Sequence, residues 1–273
     1  MKEGGKVFLQ LWHVGRVSHP SLQKDNALPL APSAIAMKSP VFTANGEMTD
    51  PVTPRALTID EIPDIINQYR NGARNAHGAG FDGVEIHSAN GYLLDQFLQD
   101  GTNQRADSYG GPVENRARLL LQVVHAVTEV FGANRVGVRL SPHGTFNDIS
   151  ESNPAELFPY VTKALNKYGL SYLRLVEPRV SGGGEQSSYQ GESLTGKLRE
   201  FFNGPIISAG GYNRESGNQA IEKDTANLIA YGRFAISNPD LAERFAQKAE
   251  LNSYDRSTFY GGTEKGYTNN PTL

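Results

Sequence analysis

Six short runs of largely apolar, β-type residues punctuate the chain: Val7–Trp12, Gly83–His87, Arg135–Ser141, Tyr172–Glu177, Pro205–Ala209 and Leu228–Gly232. Their strong apolar character is the pattern of strands covered on both faces. Between them the period changes. In Ile59–Ala79, the residues Ile62, Ile65, Ile66, Tyr69 and Ala73 fall on one helical face. Thr58 stands there as an N-cap, with Gly78 and Gly80 as stop signals. Glu114–Val130 carries Leu119, Leu120, Val123, Val124 and Val127 at the same spacing, and Pro154–Tyr168 and Leu241–Leu251 are similar. The helix after the fifth run is poorly marked, around Glu215–Asp224. Strands separated by helices predict right-handed βαβ units and a parallel sheet in one domain over residues 1–273.

Three segments fall outside this rhythm. Residues 17–58 are rich in Pro, Ser and Ala, and so long a connection predicts a functional loop or lid. Ser181–Gly191, with Gly182-Gly183-Gly184 near its start, reads as a second loop. Residues 252–273 form an irregular tail. An open doubly wound sheet calls for a Gly-rich fingerprint after the first strand. Gln10-Leu11-Trp12 stands there instead. Polar residues gather at the C-terminal ends of the runs, at Gln10, His87, Arg139, Glu177, Gly210 and Arg233. That is the habit of a (β/α)8 TIM barrel, although six strands are present where a barrel has eight.

Composition narrows the function. With 273 residues, 38% hydrophobic and 20% charged, the chain can bury a sizeable core. A net charge of −3 gives no basic excess for nucleic acid or an anionic membrane. No apolar run approaches a membrane span, and Met1-Lys2-Glu3-Gly4-Gly5 is no signal peptide, so the cytoplasm is the default expectation. The absence of cysteine removes disulfides, thiolate metal sites and cysteine nucleophiles. No metal cage stands out.

The chemistry concentrates at Val84-Glu85-Ile86-His87-Ser88-Ala89-Asn90-Gly91-Tyr92. A strand ends at His87, and Asn90 and Tyr92 follow after a turn of small residues. A neutral His and an Asn can hold a carbonyl oxygen whose negative charge grows during reaction. A phenol can protonate a nearby carbanion-like centre. Gly210-Gly211 and Gly232-Arg233 end the last two strands, where barrels bind phosphate through close backbone approach and a cation. Gln10 can satisfy a donor and an acceptor on a planar heterocycle. Arg139 either stabilises a charge there or pairs with Glu85 or Glu177. Trp12 reads as core or pocket wall. The arginines of Tyr109–Arg118 read as loop anchors, and Phe259-Tyr260 as aromatics able to fold over a mouth. Glu85 and Glu177 leave a barrel glycosidase as a remote rival, although their positions inside the runs argue for buried, paired carboxylates.

These residues resemble the old yellow enzyme family, which includes the 12-oxophytodienoate reductases. The resemblance rests on Phe8–Arg16, Gly80–Arg118, Val136–Pro142, Ile207–Gly211, Ile229–Asp240 and Tyr254–Tyr260, and covers almost the whole chain. It implies an FMN-dependent TIM barrel that reduces activated alkenes with NADPH. It further implies that Gln10, Arg139, Gly210, Gly211, Gly232 and Arg233 bind the flavin. His87 and Asn90 would grip the carbonyl oxygen of an enone, and Trp12, Phe259 and Tyr260 would line its pocket. Reduced flavin would give hydride to the β-carbon, and Tyr92 a proton to the α-carbon. Family members begin with two further βα units, and here the chain opens almost directly on the strand carrying Gln10. The expected alternative is a form that does not hold flavin, or that needs an oligomeric partner to cover the open barrel edge.

Overall fold

Six strands pair in parallel in the order in which they occur in the chain: β1 (Phe8–Leu11), β6 (Gly83–Ser88), β7 (Val136–Leu140), β8 (Tyr172–Val176), β9 (Ile206–Ala209) and β10 (Leu228–Ala230). They correspond one for one to the six apolar runs. The computed structural model describes residues 4–178, 193–260 and 263–273, so the loop expected over Ser181–Gly191 lies outside the described residues. Four shorter strands belong to the 17–58 insert. Leu30–Ala31 (β2) pairs in parallel with Arg55–Ala56 (β5), and Val41–Phe42 (β3) makes a hairpin with Met48–Thr49 (β4). The insert thus carries local structure that its Pro- and Ser-rich composition concealed.

Nine helices are described: α1 (Ile62–Gly78), α2 (Leu93–Leu98), α3 (Val113–Arg116), α4 (Arg118–Phe131), α5 (Pro154–Leu165), α6 (Leu194–Arg199), α7 (Arg214–Glu222), α8 (Arg233–Ser237) and α9 (Leu241–Gln247). Thr58 serves α1 as foreseen, through a 3-10 turn. Glu61 accepts from the Thr58 backbone N–H at 2.8 Å and from its hydroxyl at 3.0 Å. The pattern over Glu114–Val130 splits into α3 and α4. The poorly marked helix is α7, capped by Asn213, whose Oδ1 accepts from the Ser216 N–H at 2.8 Å.

The sheet has two unlike faces, which the runs read as uniformly apolar did not announce. On one face Val84 and Ile86 of β6 stand in register with Val136 and Val138 of β7, and Val138 and Leu140 with Leu173 and Leu175 of β8. All are buried against Ile62, Ile65 and Tyr69 of α1 and Leu119, Leu120, Val123 and Val127 of α4. Each such side chain contributes ~1.5–3 kcal/mol of burial. The other face carries two polar rows. Gln10, Glu85, Gly137 and Tyr172 form the lower row, and His87, Arg139 and Arg174 the upper. Every site residue on β1, β6 and β7 hangs from this face. β1 and β10 each have one strand partner among the described residues.

Candidate active site

β6 delivers His87, and the turn that follows places Asn90 and Tyr92. The turn demands left-handed backbone at Asn90 (φ 55°) and Gly91 (φ 74°). Asn tolerates this conformation and Gly adopts it freely. A Cβ on Gly91 would also come within 2.5 Å of the Phe146 carbonyl oxygen. Three hydrogen bonds fix the turn. The Asn90 N–H donates to Ser141 Oγ at 2.7 Å, the Gly91 N–H to Asp95 Oδ2 at 2.8 Å, and Asn147 Nδ2 to the Asn90 carbonyl at 2.9 Å. Asp95 is fully buried and also accepts from Gln99 Nε2 at 2.7 Å. Burial pushes its carboxyl up to about 6 against the downward pull of these donors. Sequence reasoning missed Asp95, Ser141 and Asn147. The one available signal was an Asp amid the apolar residues of Leu93–Leu98.

Three rings converge here. Trp12 stacks on His87 with centroids 6.0 Å apart and planes 17° apart, and Tyr92 meets Trp12 edge-on at 4.8 Å and His87 at 5.2 Å. Trp12 is 53% exposed, so it is a pocket wall and not core. His87 is buried, and desolvation, then Arg139 and Arg174, depress its pKa to about 3, leaving a neutral imidazole at neutral pH. The Ala89 N–H points at His87 Nδ1 at 3.3 Å. With Nδ1 an acceptor, this network puts the proton on Nε2, which becomes a hydrogen-bond donor. Burial raises the Tyr92 pKa, opposed by a hydrogen bond with Asn147 and by Arg139. The phenol therefore stays protonated.

Two cavities border this segment, the first at Asn90 and the second at Trp12 and Tyr92. The first, about 210 Å³, is lined by Asn90, Arg139, Arg174, Gly210, Gly211, Gly232 and Arg233. It brings together most of the residues expected to hold a flavin. Arg139 Nε is buried with no hydrogen-bond partner, and desolvation lowers the guanidinium pKa to about 10. A buried, unsatisfied guanidinium N–H is costly and suits an anionic or carbonyl-bearing ligand. Gly210 holds φ at 111°, and a Cβ there would stand 2.9 Å from the Glu177 carbonyl oxygen. Arg233 donates to Tyr254 Oη at 3.2 Å, which ties the tail to the cavity rim. The residues present therefore fit FMN. The second cavity, about 630 Å³, is lined by Trp12 and Tyr92 and by Val41, Phe42 and Met48 of the insert hairpin.

Other expectations are placed differently. Phe259 packs on Tyr254 at 5.6 Å, beside Arg233 and not at the second cavity. Tyr260 is 86% exposed yet close enough to act electrostatically on Tyr92 and Arg139. The pair open to Arg139 is not formed, because Glu85 takes Arg174 at 3.4 Å. Glu177 accepts from Ser193 Oγ at 2.6 Å and from the Leu194 and Thr195 N–H groups at the start of α6. Both carboxylates are buried and committed to these partners, so the glycosidase pair is set aside. Arg116 and Arg118 anchor their loop, Arg116 through Glu151 at 2.5 Å and Arg118 through the Ser108 carbonyl at 2.7 Å. Among the described residues no cluster of metal-ligating side chains forms, and no helix is long and apolar enough to cross a membrane.

Residues 1–252 match the NADH:flavin oxidoreductase / NADH oxidase family. The chain is 48% identical to putative 12-oxophytodienoate reductase 11 of Oryza sativa subsp. japonica, over 99% of this chain and 74% of that protein. It is 46% identical to 12-oxophytodienoate reductase 2 of Arabidopsis thaliana, over 99% and 72%. Morphinone reductase solved in complex with tetrahydroNAD superposes with a TM-score of 0.92 at 44% identity, over 100% of this chain and 74% of that one. The old yellow enzyme homologue of Zymomonas mobilis superposes at 0.93 with 38% identity, over 100% and 75%.

Proposed function

The chain belongs to the NADH:flavin oxidoreductase / NADH oxidase family, and from that premise we propose that it reduces the C=C bond of α,β-unsaturated carbonyl compounds, with NADPH as electron donor. One observation carries this reading: a neutral His87 with Nε2–H free to donate, packed edge-on against a protonated Tyr92. FMN, when bound, would supply hydride chemistry at the substrate β-carbon. His87 Nε2–H and the Asn90 amide take the substrate carbonyl oxygen and stabilise the charge it gains as the β-carbon is reduced. Tyr92 gives its phenolic proton to the α-carbon. Trp12 and the insert hairpin wall the chamber on the Tyr92 side.

Arg139, with its buried unsatisfied Nε, would hold the flavin, with Gly210, Gly211, Gly232 and Arg233 at its phosphate and Gln10 at its ring. The test is reconstitution of purified chain with FMN, followed by oxidation of NADPH and of NADH in the presence of 2-cyclohexenone. We expect bound flavin absorbance and faster turnover with NADPH. A chain that retains no flavin after reconstitution overturns the reading, and faster turnover with NADH overturns the donor.

Among the described residues β1 and β10 each have one strand partner, which favours a second reading, in which a partner chain covers β1 and β10 before flavin is held. Leu9 in β1 and Leu228 in β10 are 36% and 57% exposed. Light scattering separates the two, because the first reading expects a flavin-loaded monomer.

A further inference from the structure

The lower polar row beneath the candidate site has a buried carboxylate at its centre. Glu85 is 4% exposed and receives three side chains from two strands, β1 and β8. Gln10 Nε2 donates to its Oε1 at 2.5 Å, Tyr172 Oη to its Oε2 at 3.1 Å, and Arg174 Nη1 approaches Oε1 at 3.4 Å. The row is built for this contact. Gln10 and Glu85 are register neighbours, and so are Glu85 and Gly137, and Gly137 and Tyr172. A Cβ on Gly137 would collide with the Tyr172 ring, so only glycine there lets the phenol cross β7 to reach Glu85. Burial, and then Glu85 itself, keep that phenol protonated and donating.

The consequence falls on Gln10. A carboxylate accepts hydrogen bonds and cannot donate one, whereas a primary amide presents NH₂ at one end and oxygen at the other. With its Nε2 committed to Glu85, the Gln10 amide cannot flip without setting oxygen against oxygen. Its Oε1 is left as an acceptor of fixed orientation. We propose that Glu85 is a positioning residue: it locks Gln10 with the carbonyl oxygen outward, so that the site selects a planar cofactor presenting an imide N–H. This rests on the flavin reading above and goes beyond it. Recognition at that edge is set by a carboxylate that does not itself face the ligand, and Arg174 and Tyr172 hold that carboxylate in place.

The test compares FMN with 3-methyl-FMN, in which the imide hydrogen is replaced. Dissociation constants are read by quenching of flavin fluorescence on titration with the full chain. Wild type binds FMN tighter by on the order of tenfold or more, the cost of one lost hydrogen bond plus an acceptor left unsatisfied. Glu85→Gln, whose own amide meets Gln10 with either end, shrinks that ratio several-fold. Glu85→Asp keeps the charge facing Arg174 but draws the carboxylate back from Gln10, and shrinks it likewise. Gln10→Leu, which removes the acceptor, sets the floor for both. Tyr172→Phe removes one of the two groups that hold the carboxylate but leaves the Gln10 contact itself, and shrinks the ratio less than either Glu85 variant. A ratio unchanged in either Glu85 variant, or unchanged in Gln10→Leu where the Glu85 variants do not fold, overturns the positioning role. Failure of wild type to quench FMN at all overturns the flavin reading instead.

Discussion

At the scale of single residues, the site separates holding a carbonyl from delivering a proton. Tyr92→Phe leaves the ring cluster with Trp12 and His87 in place and removes only the acid. Rapid-mixing measurements should show reoxidation of reduced flavin by enone slowed by ~10²–10⁴. Reduction of the flavin by NADPH should stay within about twofold, and equal loss in both half-reactions would contradict the proton-donor role. His87 gives a second expectation, in stability. Its folded pKa of about 3 lies below the ordinary 6.5. Between those values the unfolded chain binds the extra proton, so stability rises with pH. The contribution is fully present above pH 6.5 and is lost as pH falls toward 3. Asp95, raised to about 6 from 3.8, works in the opposite direction between those two values. Urea midpoints measured from pH 7 to 4 should therefore fall less steeply in His87→Gln than in wild type. Parallel slopes would mean that the imidazole is not buried neutral.

At the scale of elements, Arg116 joins three pieces of chain. It donates to the Leu98 carbonyl at the end of α2, to the Gly111 carbonyl before α3, and to Glu151 ahead of α5. Arg116 and Glu151 side chains are 6% and 3% exposed. Arg116→Ala strands a buried carboxylate, and urea unfolding should show a loss of ~3–5 kcal/mol. A loss below about 1 kcal/mol would place that pair in water. What the sequence discloses at this scale follows its periodicities. The six strands and the long helices α1, α4 and α5 were legible because buried apolar residues mark them repeatedly. The short helices α2, α6 and α8 span too few turns to show a period. His87, Asn90 and Tyr92 were legible because one strand end and one turn carry all three. The grip of Glu85 was not, because Gln10, Tyr172 and Arg174 lie 75, 87 and 89 positions away. Such a set exists only once β1, β6 and β8 are in register. For the same reason Arg139 was left open between ion pair and ligand group. Only the sheet shows that Arg174 takes Glu85 first.

At the scale of the molecule, the six-stranded sheet of the described residues ends on one side at β1 and on the other at β10. The cavity expected to hold FMN is lined from the turn after β6, through Arg139 of β7 and Arg174 of β8, to the loops after β9 and β10, so a ligand there ties together five of the six strands. Binding to the folded state alone adds stability as ligand rises, about 2.7 kcal/mol at a hundredfold excess over Kd. For a chain of this size that corresponds to a rise in Tm of roughly 5–10 °C. Thermal melts followed by circular dichroism with increasing FMN should show it. Arg139→Leu, which removes the buried guanidinium from the cavity, should show little of it. A flat Tm up to millimolar FMN would mean that these six strands do not hold the cofactor by themselves. The exposed Leu9 in β1 and Leu228 in β10 then gain weight as joints. In that case light scattering must return a mass above that of one chain, and substitution of Leu9 or Leu228 by Lys must bring it back down. A monomer with a flat Tm would refute both readings of the site at once.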